Sequence, residues 1–410
     1  MILRWKLLLT FHHGERRRKA LSSIQNARRA TVAVKYAGKN VTQQLAAFLT
    51  GFSYNDAAPG EQDKITINLD DRERKWIKAW KPVLGDRIVA EVNTTDWEKA
   101  KDKGKIKCGS FELESIDLSG PPNLVTLTAT ALPKGGSAAL RQVRTKGWEK
   151  VKFRSVAQEI ANRCKLKLSY NIKINPTYDR LDQNEQTDLD FLTKLCSDEG
   201  VAIKITTGSL VLFDEAEFEK TTPVMQLEYG KSNILSWSFS MSDSDTAYSA
   251  CVVTYKPPVS SAKKKKAADK KKKGKTDKPD IPLDPDLPTP KTFSIAAAAD
   301  KKKEAKKKVP ITATYRIPGV DGPVLRINQE VASVAEAQRL AKNKLREKNK
   351  GAGVASFSLD GNTQLASGVT VWVKGYGMFD GKYLVLSVDQ KVVGGAFQTD
   401  VKIRKVLAWG

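Results

Sequence analysis

The sequence predicts a mainly β protein with some α+β structure, in which two β-domains are separated by a small α+β module. The main observation behind this prediction is a short pattern that occurs twice, with a glycine, an aromatic residue, a serine and an aspartate at matching places. Apolar residues alternate along both copies, which is typical of strands with one buried face. The matching residues are Gly109, Phe111, Ser115 and Asp117 in the first copy and Gly381, Tyr383, Ser387 and Asp389 in the second.

The surroundings of the two copies are also similar. A glycine-led strand precedes each copy, at 85–92 and at 368–373, and a glycine-containing turn with a further strand follows each. We interpret this as a duplicated β-domain, although two unrelated antiparallel hairpins can look alike. Duplication predicts that Gly109 superposes on Gly381, and that the matched aromatic and aspartate pairs superpose in the same way.

Residues 30–135 are predicted to form the first β-domain. At 410 residues the chain is too long for one ordinary domain, so two to four are expected. About six strand-like segments in this region suit a small barrel or sandwich. A short helix is expected at 41–49 and a helical turn at 71–80. The strand-like segments are Thr31–Tyr36, Phe52–Asp56, Lys64–Asp70, Arg87–Val92, Lys105–Leu118 and Asn123–Leu132.

Residues 136–223 are predicted to form the α+β module, because helix start signals occur there. Ser155 and Gln158 have the spacing of a capping box. Thr187 is placed to begin a second helix, which Gly200 would end. Two apolar segments at 201–205 and 209–213 then predict a hairpin.

The second β-domain is predicted to be discontinuous, with residues 224–256 and 310–410 on either side of an insertion. Strand patterns lie on both sides, and a helix capped by Ser333 is expected to run to about Lys350. The insertion at 257–309 is rich in lysine and proline and low in apolar residues, so we predict that it does not fold alone.

Most of the formal charge of +24 lies in two segments. Residues 1–30 hold eight Lys or Arg against one Glu, and residues 263–308 hold seventeen Lys against seven acidic residues. The folded body is therefore expected to be only mildly basic. The lysine blocks predict a solvated loop, with attraction to nucleic acid as the alternative.

Residues 1–29 are interpreted as a basic N-terminal extension. The first eleven residues are similar to a signal peptide, but Arg4 and Lys6 interrupt the apolar run. We expect a soluble protein that does not insert into a membrane by itself.

The residue types of catalytic and metal sites are scarce. Both histidines, His12 and His13, lie in the extension, and no GxSxG motif occurs. The carboxylate pair Asp70-Asp71 could serve a hydrolase but is more typical of a turn cap. We therefore expect no catalytic residues, metal or cofactor. The distant cysteines are expected to be buried free thiols: Cys108, Cys164, Cys196 and Cys251.

Several motifs along roughly residues 28–410 resemble the phage tail baseplate hub proteins called the late control D family. Their order and spacing carry the resemblance, rather than any single motif. Residues 1–25 and the long lysine insertion depart from the family, and a misassigned start codon would explain the former. The motifs are Phe52–Asp56, Asp63–Asp71 including Asp70, Trp76, Trp80–Asp86 including Gly85 and Asp86, Asp188–Leu192, Gly200, Phe379–Tyr383 and Gly394–Phe397.

The resemblance implies a homotrimeric hub with two tail-tube-like β-barrels per subunit. Six similar barrels would form a pseudo-six-fold ring, held by shape complementarity and edge-strand pairing. One face would stack on the hexameric tail tube protein, and the other would hold the trimeric spike protein. Other baseplate proteins and the tape measure protein are further expected partners. The hub would lie in the tail baseplate of a virion or phage-like particle, after assembly in the host bacterial cytoplasm.

Two other functions compete with this interpretation. A tail-associated hydrolase that degrades the cell wall would need a cleft with convergent carboxylates. A basic nucleic-acid-binding protein would bind through the lysine-rich segment.

Overall fold

The structure is a computed structural model that describes residues 27–98, 101–131, 139–140, 142–206, 208–231, 233–242, 246–255 and 310–409. The predicted insertion at 257–309 lies outside the described residues, and so do residues 1–26 of the predicted extension. In the described parts, strand residues far outnumber helical ones. The predicted mainly β fold class is therefore confirmed.

The first β-region follows the alternating pattern of its sequence. In β4, every second residue, Ile65, Ile67 and Leu69, is buried. Residues 71–80, where a helical turn was expected, form turns without a regular helix, and Arg74 has a positive φ of 53° there. The elements are β1 (Arg29–Tyr36), β2 (Lys39–Asn40), α1 (Thr42–Ala46), β3 (Leu49–Asp56), β4 (Lys64–Asp70), β5 (Arg87–Thr95), β6 (Lys103–Ser119) and β7 (Leu124–Thr130).

The middle region contains the expected helices. The second begins after Thr187, whose side chain accepts a hydrogen bond from the Asp190 N–H, and ends at Gly200 in the left-handed conformation. The capping-box prediction at Ser155 is wrong, because the first helix begins two residues earlier, at the buried Phe153. The elements are β8 (Val143–Lys152), α2 (Phe153–Arg163), β9 (Lys167–Asn171), β10 (Thr177–Thr187), α3 (Asp188–Glu199), β11 (Ala202–Thr206), β12 (Ser209–Phe213) and α4 (Glu215–Glu219).

The last region holds the remaining strands and the longest helix. Ser333 caps this helix as predicted, since its side chain accepts a hydrogen bond from the Glu336 N–H. The elements are β13 (Met225–Glu228), β14 (Ile234–Met241), β15 (Ala250–Tyr255), β16 (Ile311–Arg316), β17 (Val324–Asn328), α5 (Val334–Asn349), β18 (Gly353–Asp360), β19 (Thr370–Lys374), β20 (Gly381–Val393) and β21 (Ala396–Lys405), with 3-10 turns at Lys350–Ala352 and Gly377–Phe379.

One large sheet runs through both β-regions. Its order is β14-β18-β21-β20-β3-β4-β7-β6-β5-β1-β2, with β19 on β20 and β13 on β19. The two regions meet where β20 pairs antiparallel with β3, from Val388 opposite Asp56 to Val392 opposite Phe52. We call this pairing the internal junction. It makes the two β-regions parts of one continuous sheet.

The sheet curls so that its first strand approaches the internal junction. β1 contacts β20 and β21, and Arg28 forms an ion pair with Asp360. Trp97 packs edge-on against Phe397 at 5.5 Å between ring centroids. Phe397 and Val392 therefore belong to the hydrophobic core of the first β-region.

Three strands of the predicted second β-domain pair with one another instead of joining the large sheet. They form the order β16-β15-β17, and α5 packs on them around a separate core that includes Val253, Leu340 and Leu345. The middle region has its own core with two small sheets, β8-β10 and β9-β12-β11. The domain boundaries themselves stay predictions.

Candidate assembly site

The two copies of the repeated pattern lie in β6 and β20. Gly109 and Gly381 have φ angles of 111° and 139°, in the region that favours glycine. Phe111 and Tyr383 are both buried. Each ring lies opposite an apolar residue of the preceding strand of its own copy, and these residues are Ile88 and Val371.

Each copy contains a β-bulge at the matching place. One extra residue lies between Leu113 and Ser115 against β7, and one lies between Val385 and Ser387 against β21. A bulge bends and twists its strand. The repeated serines Ser115 and Ser387 therefore follow the same local distortion.

The motif Gly85-Asp86 holds the start of β5 against the bulge of β6. The Gly85 N–H donates to the Leu113 carbonyl (2.8 Å), and the Leu113 N–H donates to the Asp86 carbonyl (2.9 Å). The Asp86 carboxylate also accepts a hydrogen bond from the Tyr36 hydroxyl. Burial, together with this bond, raises the pKa of Tyr36 to about 12.

The second copy repeats this arrangement. The Gly368 N–H donates to the Val385 carbonyl (2.9 Å), and the Val385 N–H donates to the Val369 carbonyl (2.8 Å). Gly368 has a φ of 87°, and Gly85 has a φ of 86°. Gly85 and Gly368 therefore have the same backbone conformation and form matching hydrogen bonds.

Asp70 and Trp76 shape a turn and the core beside it. Asp70 accepts a hydrogen bond from the Arg72 N–H (2.9 Å), and Asp71 accepts one from the Trp76 N–H (3.1 Å). Trp76 packs edge-on against Trp80 at 5.6 Å. The carboxylates of this motif thus cap turns.

The match between the copies extends over five strands. The strands β3, β4, β7, β6 and β5 occur in the same sheet order as β14, β18, β21, β20 and β19. The pairing of β3 with β4 skips one residue after Leu49, and the pairing of β14 with β18 skips one residue after Ile234. In the first copy, Tyr54, Ile65 and Ala129 lie opposite one another on three neighbouring strands. The residues at the corresponding places in the second copy are Phe239, Ala355 and Ile403. The two β-regions thus share one strand plan, while superposition of the repeat residues stays a prediction.

The repeated aspartates have different neighbours. Asp389 lies in the internal junction, where its carboxylate accepts a hydrogen bond from the Asn55 side chain (2.8 Å). Asp117 accepts one from Ser115 of its own strand (3.1 Å). Among the described residues, the cross-strand hydrogen bond of Asp389 has no counterpart at Asp117.

Among the strand edges without a strand partner in the described part of the chain, two belong to the repeated strand plan. One is the outer edge of β14, at the end of the large sheet. The other is the segment of β6 from Ile116 to Ser119, because β5 pairs with β6 only as far as Glu112. Both carry exposed apolar side chains, and such edges are templates for pairing with another chain. These side chains are Leu118, Leu235, Trp237 and Met241.

A cluster of buried charged residues connects the middle region to the internal junction. Lys204 of β11 contacts the Asp56 carboxylate at the end of β3 and lies 3.3 Å from Asp63. The Ser367 N–H donates to Asp56 (2.6 Å). Burial raises the pKa of Asp63, although Lys204 acts in the opposite direction. Sequence analysis missed Lys204, whose one signal is a charge within an apolar strand.

A second cluster of buried charged residues connects α4 to the large sheet. Arg404 of β21 donates to Glu215 (2.7 Å) and Glu219 (2.5 Å). Arg346 of α5 also pairs with Glu219 (2.5 Å). Burial would raise the pKa of Glu215, but Lys350 and Arg404 hold it below its usual value. These residues were also not predicted.

A cleft of about 840 Å³ lies between the middle region and the sheet of β15–β17. Two of its carboxylates have structural partners: Asp198 pairs with Lys344 (3.0 Å), and Glu199 accepts a hydrogen bond from Tyr178 (2.8 Å). Glu336 accepts a backbone hydrogen bond at the start of α5, and burial raises its pKa. Asp198 thus joins the middle region to α5, while the cited bonds of Glu199 and Glu336 stabilise their own regions.

All four cysteines are buried and free, as predicted. Burial raises the pKa of Cys108 to about 12, which makes this thiol unreactive. The described residues contain no cluster of three or more metal-binding side chains. Among the described helices, none is both long and apolar enough to cross a membrane. His12 and His13 lie outside the described residues.

The fold is shared with solved tail proteins. A tail protein from Neisseria meningitidis has a TM-score of 0.60 and 11% identity, over 93% of this chain and 98% of the other. The 43 kDa tail protein of prophage MuSo2 from Shewanella oneidensis has a TM-score of 0.59 and 13% identity, over 92% and 98%. At these identities the likeness concerns the fold alone.

The sequence comparisons identify the family. Residues 123–395 match the family model described as phage tail baseplate hub (GPD). The probable baseplate hub protein of Escherichia phage 186 is 24% identical over 380 residues, which cover 90% of this chain and 91% of the relative. The chain therefore belongs to the phage tail baseplate hub family, as its motifs predicted.

Proposed function

We propose that three copies of this baseplate hub form a ring that joins a hexameric tail tube to a trimeric spike. The observation that carries this proposal is the repeated strand plan, joined edge to edge within one chain by β20 and β3. Three chains would present six similar β-units, which matches the symmetry of a hexameric tube.

The other parts of the chain occur once per subunit. The middle region and the sheet of β15–β17 with α5 have no counterpart in the strand plan of the first copy, as far as the described residues go. A face built from these parts would keep three-fold symmetry, so it suits a trimeric spike and other baseplate proteins. The tape measure protein is a further candidate partner.

Family membership implies a position in the tail baseplate of a virion. We propose that the hub assembles in the host cytoplasm before it enters the particle. Its buried free cysteines suit a reducing compartment.

We also propose that the hub has no catalytic role. The carboxylates of the cleft support this, because Asp198 and Glu199 are engaged in ion pairs and hydrogen bonds. Purified hub at high concentration should release no soluble fragments from labelled peptidoglycan. Release above that of a heat-denatured sample would contradict the proposal.

Electron microscopy of the purified protein tests the ring. Class averages viewed down the ring axis should contain six similar density lobes around a central opening, with three-fold features on one face. Averages with a single pair of lobes would contradict the proposed ring.

A further inference from the structure

Two residues of the internal junction are buried, although their counterparts in the other copy are exposed. Gln390 of β20 is 1% exposed, while Leu118, its counterpart in β6, is 56% exposed. Phe52 of β3 is 2% exposed, while Trp237, its counterpart in β14, is 49% exposed. Each exposed residue therefore occupies a position whose counterpart in the other copy lies in the internal junction and is buried.

The exposed residues are apolar, so leaving them in water is unfavourable. Burying side chains of this kind favours association in proportion to the apolar area removed from water. Trp237 also extends an aromatic cluster, with its ring centroid 5.2 Å from that of Tyr376 and 6.4 Å from that of Tyr229. Tyr229 and Met378 beside it are exposed. The open edge of β14 therefore adjoins an apolar surface suited to burial against another protein.

We propose that β6 of one chain pairs antiparallel with β14 of a second copy, in the register of the internal junction. This inference rests on the proposed ring and specifies its subunit contact. Five residue pairs of the junction, from Val388 opposite Asp56 to Val392 opposite Phe52, give the register by strand correspondence. The corresponding pairs between chains are Ile116 with Met241, Asp117 with Ser240, Leu118 with Phe239, Ser119 with Ser238, and Gly120 with Trp237.

The side chains fit this register. In the internal junction, Asn55 donates a hydrogen bond to Asp389. In the contact between chains, the Ser240 hydroxyl stands in the place of Asn55 and can donate to the Asp117 carboxylate. The Asp117 carboxylate therefore still accepts a hydrogen bond when the two strand edges pair and exclude water. Leu118 and Phe239, directly opposite each other, form an apolar cross-strand pair.

The two edges differ from each other, so the contact is head-to-tail. Such a contact generates a closed ring or an open filament, according to its rotation. The internal junction is the same kind of contact within one chain, because β20 corresponds to β6 and β3 corresponds to β14. Repetition of the same contact between chains alternates the two copies around the ring.

Disulfide cross-linking tests the register. The double variant Asp117→Cys, Ser240→Cys brings the two thiols opposite each other, within the Cα separation of about 4.4–6.8 Å that disulfides require. Because the native cysteines are buried, oxidation with copper phenanthroline should join the new thiols and produce covalent dimers and trimers on non-reducing gels. The matched control is Asp117→Cys, Ser238→Cys, whose thiols are displaced by two residues along the same strand face and should not join.

The native mass of each variant is measured before oxidation. A trimer that cross-links in the Ser240→Cys pair but not in the Ser238→Cys pair supports the register. A trimer in which both pairs cross-link equally, or in which neither does, overturns the register and leaves the proposed ring standing. The single variant Ser240→Cys is oxidised in parallel. A disulfide-linked dimer of this variant would indicate symmetric pairing of two β14 strands and overturn the inference. A monomer contradicts the proposed ring, and the register with it.

Discussion

Single buried charges connect parts of this chain that are far apart in sequence. Lys204 contacts Asp56, 148 residues earlier, and Ser367, 163 residues later. It joins three regions at the internal junction. Removal of one partner from a buried ion pair leaves the other charge uncompensated, which costs more than the pair itself contributes.

Replacement of Lys204 by methionine should reduce the free energy of unfolding by about 3–5 kcal/mol at neutral pH. The pKa of Asp63 is already raised by burial and should rise further without Lys204. An acid with a raised folded-state pKa stabilises the fold at low pH, and this contribution is lost as the pH rises through that pKa. The loss caused by Lys204→Met should therefore grow from about pH 4 towards neutral.

Urea unfolding at several pH values measures this effect. The matched control is Lys220→Met, because Lys220 pairs with Glu217 on the surface and its side chain is 65% exposed. Such surface pairs contribute about 0–1 kcal/mol. A loss for Lys204→Met that matches the control, or that shrinks as the pH rises, would contradict the role assigned to the cluster.

At the scale of elements, the same loop geometry occurs at the start of both copies. Gly85 and Gly368 have nearly equal positive φ angles, and each bonds to the bulged strand of its own copy. A side chain strains this conformation by about 1–2 kcal/mol. The two loops therefore depend on glycine for the same reason.

Gly85→Ala and Gly368→Ala should each reduce stability by about 1–2 kcal/mol, as measured by urea unfolding. Gly351→Ala is the control, since Gly351 has no positive φ and a Cβ there would meet Thr246 at an ordinary 3.4 Å. Widely different losses for the two variants would count against equivalent loops.

The open edge of β6 should be needed for assembly but not for folding. Leu118→Lys places a charge on an exposed position, and lysines on edge strands hinder pairing. We expect the variant to lose the trimer in analytical ultracentrifugation, while the monomer keeps the circular dichroism spectrum of the wild-type chain and still unfolds cooperatively.

Val143→Lys is the control for this variant, because Val143 is similarly exposed but lies in β8, away from both open edges. A Leu118→Lys chain that remained fully trimeric would argue against β6 as a subunit contact.

For the whole molecule, local sequence patterns predicted elements but not their long-range arrangement. β4 was predictable because Ile65 and Ile67 alternate with polar residues, and α3 because Thr187 and Gly200 cap it. β8 and β10 were not predicted: they are largely polar and exposed, and they pair with each other.

The candidate site was predicted in part. The repeated glycines, aromatics and serines could be found because they are local, and they mark matching bulged strands. The internal junction and the Lys204 and Arg404 clusters could not, because they join residues more than a hundred positions apart. The separation of β15–β17 from the large sheet depends on long-range pairing in the same way.

The repeated strand plan within one subunit supports a central claim about assembly. If two similar β-units per chain provide six units around a tube, the hub must be a trimer. Native mass spectrometry of the assembled protein tests this most directly. We predict a complex with three times the mass of one chain, and a monomer, dimer or hexamer as the only species would contradict the proposal.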